Sequence, residues 1–146
     1  MTQEEKAAIE AACARLVQRL AVLVDAGRYD EALALYTPDA VQVRRGQEVR
    51  GKEALARFFA ARPADRLTRH LIPTTAIFVE SGNRATGISY ALVWRHQGDG
   101  VPAQLPLPMV APGTLGEYHD VFVRMQEGWR LAERRTREVF DEPLPG

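Results

Sequence analysis

Two residues of this 146-residue chain are titratable groups in apolar settings, and their types suit proton chemistry. His70 lies in Leu67-Thr68-Arg69-His70-Leu71-Ile72, inside a strand-like stretch. An imidazole titrates near neutral pH and can give or take a proton there. Asp25 follows Val24 at the end of a helical stretch, where a negative charge opposes the helix dipole by a few tenths of a kcal/mol, about 0.3 or more. A carboxylate in so burial-prone a place needs a partner or a cavity. Each residue also has a structural reading. Asp25 could be solvated or cap the next turn, and His70 could be a hydrogen-bonded core residue. The spacing of His70, His96 and His119 is no metal signature, since neither His-x-His nor His-Glu-x-x-His occurs, and no metal or cofactor is expected.

The elements that must position these groups follow from periodicity. Thr2 and Glu5 form a capping-box pattern, and Ile9, Cys13, Leu16, Leu20, Leu23 and Val24 recur at helical spacing up to a stop at Gly27. A second helix is predicted over Tyr29–Leu35, ended by Thr37-Pro38-Asp39, then a strand over Ala40–Arg44 and a turn at Gly46-Gln47. Gly51–Phe59 reads as a third helix closed by Pro63.

The remainder is β. Leu67–Val79 is a strand in which Pro73 marks an edge or a bulge, and it returns through Ser81-Gly82-Asn83 as Ala85–His96. On the return strand Tyr90 and Trp94 share one face, while Ala91, Val93 and Arg95 share the other. Gln97–Gly113 is a seventeen-residue, proline-bearing loop, a length that suits a lid or an interface. Thr114–Met125 and Trp129–Phe140 form a second hairpin about Gln126-Glu127-Gly128, and Pro143 and Pro145 lie in a short tail. Trp129 is expected in the core.

Composition narrows the classes. One domain over residues 1–146 can bury roughly two-thirds of its unfolded surface in a single core. Nineteen basic residues balance nineteen acidic ones, which argues against nucleic acid as partner. Arg134, Arg135 and Arg137 lie in a strand, so their charges divide between its faces. Cys13 is the only cysteine, the first residues are polar, and no apolar run could span a bilayer. A cytoplasmic location without a membrane partner is expected. Helices followed by long antiparallel strands give an α+β class: a strongly curved antiparallel or mixed sheet closing as a cone-shaped barrel, with three helices from the N-terminal half enclosing a pocket.

The order of elements, together with Tyr36-Thr37-Pro38-Asp39-Ala40, Gly116-Glu117-Tyr118-His119-Asp120 and Gly128-Trp129-Arg130-Leu131, resembles the nuclear transport factor two-like superfamily. Within it the chain resembles the SnoaL-like group, which is also similar to scytalone dehydratase. The resemblance covers nearly the whole chain and speaks to fold more than to function. It implies that Asp25 and His70 occupy the positions of a catalytic aspartate–histidine pair, the carboxylate fixing the imidazole tautomer. Other positions depart from that pattern. Val24 and Arg44 stand at or near two expected tyrosines, Arg95 at a second histidine with His96 beside it, and His119 at an asparagine.

The carbonyl-activating hydroxyls of the scytalone reaction are thus expected to be missing. The aspartate base of ketosteroid isomerases is replaced near Arg44. Arg44 and Arg95, if inward, offer donors to an oxyanion; otherwise they are rim arginines. His119 is the preferred inward residue of its strand, with Tyr118 and Asp120 lining the pocket instead if a bulge reverses parity. Tyr90 completes the candidate substrate-binding set.

The expected activity is an acid/base lyase, isomerase or cyclase on a hydrophobic carbonyl or enolisable small molecule. The alternative is a non-catalytic ligand-binding or scaffold domain of the same fold. A homodimer through the outer face of the sheet is implied by the resemblance.

Overall fold

The computed structural model describes residues 1–142, so the proline-bearing tail at Pro143 and Pro145 lies outside the described residues. The elements are α1 (Gln3–Asp25), α2 (Tyr29–Leu33), β1 (Tyr36–Arg44), β2 (Gln47–Arg50), α3 (Lys52–Ala60), β3 (Leu67–Val79), β4 (Arg84–His96), β5 (Thr114–Met125) and β6 (Gly128–Asp141). The strands form one mixed sheet in the order β2-β1-β6-β5-β4-β3, parallel only between β1 and β6. The sheet curves around the three helices, and the cavity lies between them.

Helix α1 begins as its sequence pattern requires. The Thr2 hydroxyl accepts the Glu5 amide, and the Glu5 carboxylate accepts the Thr2 amide in return. Its stripe of Ile9, Cys13, Leu16, Val17, Leu20 and Leu23 is buried against the sheet. Leu55, Phe59, Phe122 and Leu131 complete the core, and Tyr29 stacks on Phe59 with ring centroids 5.4 Å apart. Trp129 is partly buried against that core. Burial pushes the Cys13 thiol up to about 12, so it is an inert apolar filler.

Three local expectations are corrected. Helix α2 ends at Leu33, two residues early, and Thr37-Pro38-Asp39 is not a terminating loop. It lies inside β1, where the register against β6 shifts between Tyr36 and Val41 and so accommodates the proline. The residues after the first strand turn at Arg45-Gly46, both at positive φ, and return as β2. Two such residues make the tight hairpin turn that suits strand twist. Pro73 behaves as expected. Strand β3 is an edge strand, its register slips between Leu71 and Thr74, and Gln18 of α1 donates to the Ile72 carbonyl at 2.9 Å.

Two further bulges decide which side chains β6 turns inward. Phe122 pairs with Leu131 but Val121 with Glu133, leaving Ala132 unpaired. Leu115 pairs with Phe140 but Gly116 with Glu138, leaving Val139 unpaired. An extra residue in one strand reverses its facing from that point on. Beyond Ala132, therefore, Arg134, Thr136 and Glu138 line the cavity, while Arg135 and Arg137 face outward.

Candidate active site

The last turn of α1 lies over β3, and this places Asp25 against Thr68 and His70. The helix stops there because Gly27 adopts φ +71°, with the Arg28 amide bonded back to the Leu23 carbonyl at 2.9 Å. As an edge strand, β3 has amides that no neighbouring strand takes. The His70 amide donates to Asp25 Oδ2 at 2.8 Å. The Thr68 hydroxyl donates to Asp25 Oδ1 at 2.8 Å, and His70 Nδ1 lies 2.6 Å from the same oxygen. Arg62 Nη2 in turn donates to the Thr68 hydroxyl at 3.1 Å, forming a chain Arg62–Thr68–Asp25–His70.

Burial works to raise the Asp25 pKa, but the bonds and charge of His70 and the bond from Thr68 outweigh it, and the carboxyl is held below its usual range. Asp25 is therefore ionised at neutral pH and Nδ1 is the donor of the pair, which in the neutral ring leaves the lone pair on Nε2. His70 belongs to the cavity wall.

Because the folded pKa of Asp25 is depressed, the stability it contributes is fully present above the ordinary carboxylate value of 3.8 and is lost as pH falls through the folded value. Thr68→Val removes one buried donor to this carboxylate and the acceptor of Arg62. It should cost about 1–3 kcal/mol at neutral pH. Urea unfolding should show that cost, and the gap from wild type should narrow in acid as Asp25 is protonated.

The cavity has an empty volume of about 770 Å³, its open mouth included. Leu20, Val24, Phe58, Phe59, Ala91 and Val93 supply its apolar wall. Arg44, Arg62, Arg95, Tyr118 and Arg134 join His70 as its polar lining. Arg44 and Arg95 are thus inward, as one of their two readings had it. Arg95 Nη1 donates to the Thr114 hydroxyl at 2.8 Å, and Thr114 donates to Asp141 at 2.6 Å. Arg44 lies a loose 3.8 Å from Glu138. Burial lowers the pKa of Arg95, and the Arg44 charge acts in the same direction.

Two candidates are corrected. His119 faces away from the cavity, its side chain 45% exposed and bonded to Glu117 at 3.0 Å. Fully buried Phe122 sets the parity of β5, so Gly116, Tyr118 and Asp120 point in with it. Both Phe122 and Val123 are apolar, so alternation alone did not choose between the faces. Tyr90 is 46% exposed on the outer face, opposite in facing to Ala91, Val93 and Arg95.

A third correction concerns hydroxyls. Tyr36 and Tyr118 reach the cavity from positions other than the expected ones. Burial pushes the Tyr36 phenol up to about 12 and raises that of Tyr118, so both stay protonated donors. The Tyr36 hydroxyl donates to Gln42 at 3.1 Å, whereas that of Tyr118 has no hydrogen-bond partner among the described residues.

Sequence reasoning also missed the ion pair within the cavity wall. Arg134 and Asp120 are cross-strand partners, 7% and 2% exposed. They form two parallel bonds of 2.8 Å, Nε to Oδ1 and Nη2 to Oδ2. The guanidinium stands 3.9 Å from the centre of the Tyr118 ring. Burial works against its charge, but Asp120 beside it prevails and the pKa is raised. Opposite charges in one hairpin were visible in the chain; the bulge at Ala132 that brings them into register was not.

The loop 97–113 contributes no residue to this cavity. Trp94 donates to the Val110 carbonyl at 2.8 Å and the Gly113 amide to the Val93 carbonyl at 2.9 Å, tying the loop beside the outer face. Among the described residues no group of three or more metal-ligating side chains occurs, and no helix is long and apolar enough to cross a membrane.

Fold and cavity together define an α+β cone protein with a half-apolar pocket. Residues 5–135 match the family described as SnoaL-like domain, and the chain belongs to that family. No curated protein sequence matches it. Among solved structures, it is similar to a nuclear transport factor two-like protein with a cystatin-like fold from Novosphingobium aromaticivorans, at 20% identity and TM-score 0.73, covering 88% of this chain and 80% of that one. It is also similar to a hexachlorocyclohexane dehydrochlorinase (LinA, type 2), at 15% identity and TM-score 0.79, covering 99% and 95%. A third is ActVI-ORFA from Streptomyces coelicolor, at 20% identity and TM-score 0.70, covering 88% and 96%. At these identities the likeness is one of fold.

Proposed function

We propose that the chain is an acid/base enzyme of the lyase, isomerase or cyclase type, acting without a cofactor on a hydrophobic carbonyl or otherwise enolisable small molecule. One observation carries this reading: an imidazole on the wall of a half-apolar cavity, held at 2.6 Å by an ionised carboxylate that leaves Nε2 as the acceptor. His70 removes a proton next to the carbonyl, and Asp25 fixes its tautomer and balances the imidazolium that forms. The developing oxyanion takes a hydrogen bond from the Tyr118 hydroxyl and the field of Arg44 and Arg95. The apolar wall excludes water and seats the hydrocarbon body. The test is to screen small carbonyl compounds by native mass spectrometry and to follow the binders in D₂O by NMR. Deuterium should enter next to the carbonyl faster than without protein, and a cavity that binds such compounds without exchange or turnover would be a binding module.

The proposal includes a homodimer through the outer face of the sheet, in a cytoplasmic setting. Leu71, Phe78 and Tyr90 are exposed large side chains on that face, and the tied-down loop adds exposed Val101, Leu105, Met109 and Val110. Large apolar side chains exposed together on one face mark an interface more often than bare surface. Sedimentation velocity should give a dimer, and Phe78→Glu with Leu71→Glu should give a monomer.

A further inference from the structure

Three guanidiniums share the cavity wall in a way that stability does not explain. Arg44, Arg62 and Arg95 all line it, yet among the described residues neither Arg62 nor Arg95 has a carboxylate within ion-pair distance, and Arg44 has only the loose contact with Glu138. Arg62 Nε is buried with no hydrogen-bond acceptor. Burial lowers the pKa of Arg62 and of Arg95, and the Arg44 charge pushes in the same direction at both. Asp141 and Glu142 attract Arg95, but Asp141 is bonded to Arg45 at 2.7 Å and this does not offset the loss. Like charges gathered in a half-buried site repel one another, and buried charges are ordinarily paired.

The pairing around the cavity points to the charge of the missing partner. Arg134 is matched by Asp120, and Glu138 lies between Arg44 and Arg45, at 3.8 and 3.6 Å, which leaves Arg62 and Arg95 without a carboxylate within ion-pair distance among the described residues. We infer that the substrate is a hydrophobic monocarboxylate, its carboxylate held by Arg44 and Arg95 at the cavity wall and its hydrocarbon body on Val24, Phe58, Phe59 and Val93. A guanidinium matches a carboxylate edge to edge, and Arg95 is already oriented by its bond to Thr114. The second charge of a dianion would meet Glu138 on the same wall.

The inference rests on the reading of this cavity as a substrate pocket, and the test separates the two. Benzoate, phenylacetate, cinnamate and 1-naphthoate are titrated by calorimetry against their carboxamides, with phthalate and inorganic phosphate as dianionic comparisons. At least one monocarboxylate should bind about tenfold or more tighter than its amide, as expected for a hydrogen-bonded charge pair, and neither dianion should displace it. Arg95→Met and Arg44→Met should each remove that preference, while Arg137→Gln, on the outer face, should leave it unchanged. Equal affinity for acids and amides across the wild-type panel overturns the inference without recourse to any variant. So does a preference that survives both Arg44→Met and Arg95→Met. If acids and amides bind alike yet neutral ketones exchange deuterium in the presence of the protein, the carboxylate class falls while the enzymatic reading stands.

Discussion

His70→Gln is expected to lower turnover of an exchanging substrate by about 10²–10⁴-fold, the usual contribution of a positioned general base. Glutamine keeps a polar side chain of similar reach but cannot cycle a proton at neutral pH. Asp25 retains the Thr68 hydroxyl and the residue-70 amide as donors, so the melting temperature should stay close to that of wild type. Asp25→Asn is a different case. The carboxylate accepts from three donors at once, and an amide offers one oxygen and an NH₂ that would face one of those donors. Asp25→Asn should therefore lose activity and also about 1–3 kcal/mol of stability. The bonds that Asp25 takes from Thr68 and from the residue-70 amide are what separate the two variants. Steady-state kinetics with thermal melts checks both. Full turnover in His70→Gln would falsify the proton-transfer role and leave a structural pair in a binding domain.

Asp120→Ala should destabilise the fold by about 3–5 kcal/mol, because it leaves Arg134 buried without its counter-ion. At 7% exposure Arg134 has little contact with water, and its two bonds to Asp120 are its only side-chain acceptors among the described residues. Replacing both residues, as in Asp120→Leu with Arg134→Met, should recover much of that loss, since a packed apolar pair removes the desolvation cost along with the attraction. Recovery should not extend to ligand binding, because Arg134 also faces the cavity and lies under Tyr118. Urea unfolding of the two single variants and the double variant tests the coupling. If Asp120→Ala costs under about 1 kcal/mol, water reaches the pair and the cavity wall is wetter than its burial suggests.

The candidate site was legible in part. Asp25 and His70 were conspicuous as titratable residues in apolar stretches, and resemblance set them side by side. Thr68 and Arg62 were not conspicuous: a threonine in a strand and an arginine after a helix carry no signal until the chain folds Arg62 back onto Thr68. His119 and Tyr90 drew attention as aromatic, polar-tipped groups beside pocket-facing neighbours. Each lies one residue out of phase with the inward set, and an error of one residue moves a strand side chain to the other face. Tyr36 was overlooked as a hydroxyl donor because it occupies a position other than those of the expected tyrosines, and Tyr118 was weighed only as the alternative inward residue of its strand.

Local chemistry was enough to locate α1 with its cap and Gly27 stop, to give β3 and β5 their limits, and to mark Pro73 as an edge or bulge. Helix stripes, strand alternation and turn residues act over a few positions and can be read wherever they occur. The facing of Arg134, Thr136 and Glu138 depends on Ala132 slipping out of register against β5, and the binding of Asp25 depends on β3 being an edge strand. Both are properties of the assembled sheet. The chain therefore carried Asp25 and His70 in its own pattern and resemblance paired them, while the charge of the cavity around them was settled by strand order and the bulge at Ala132.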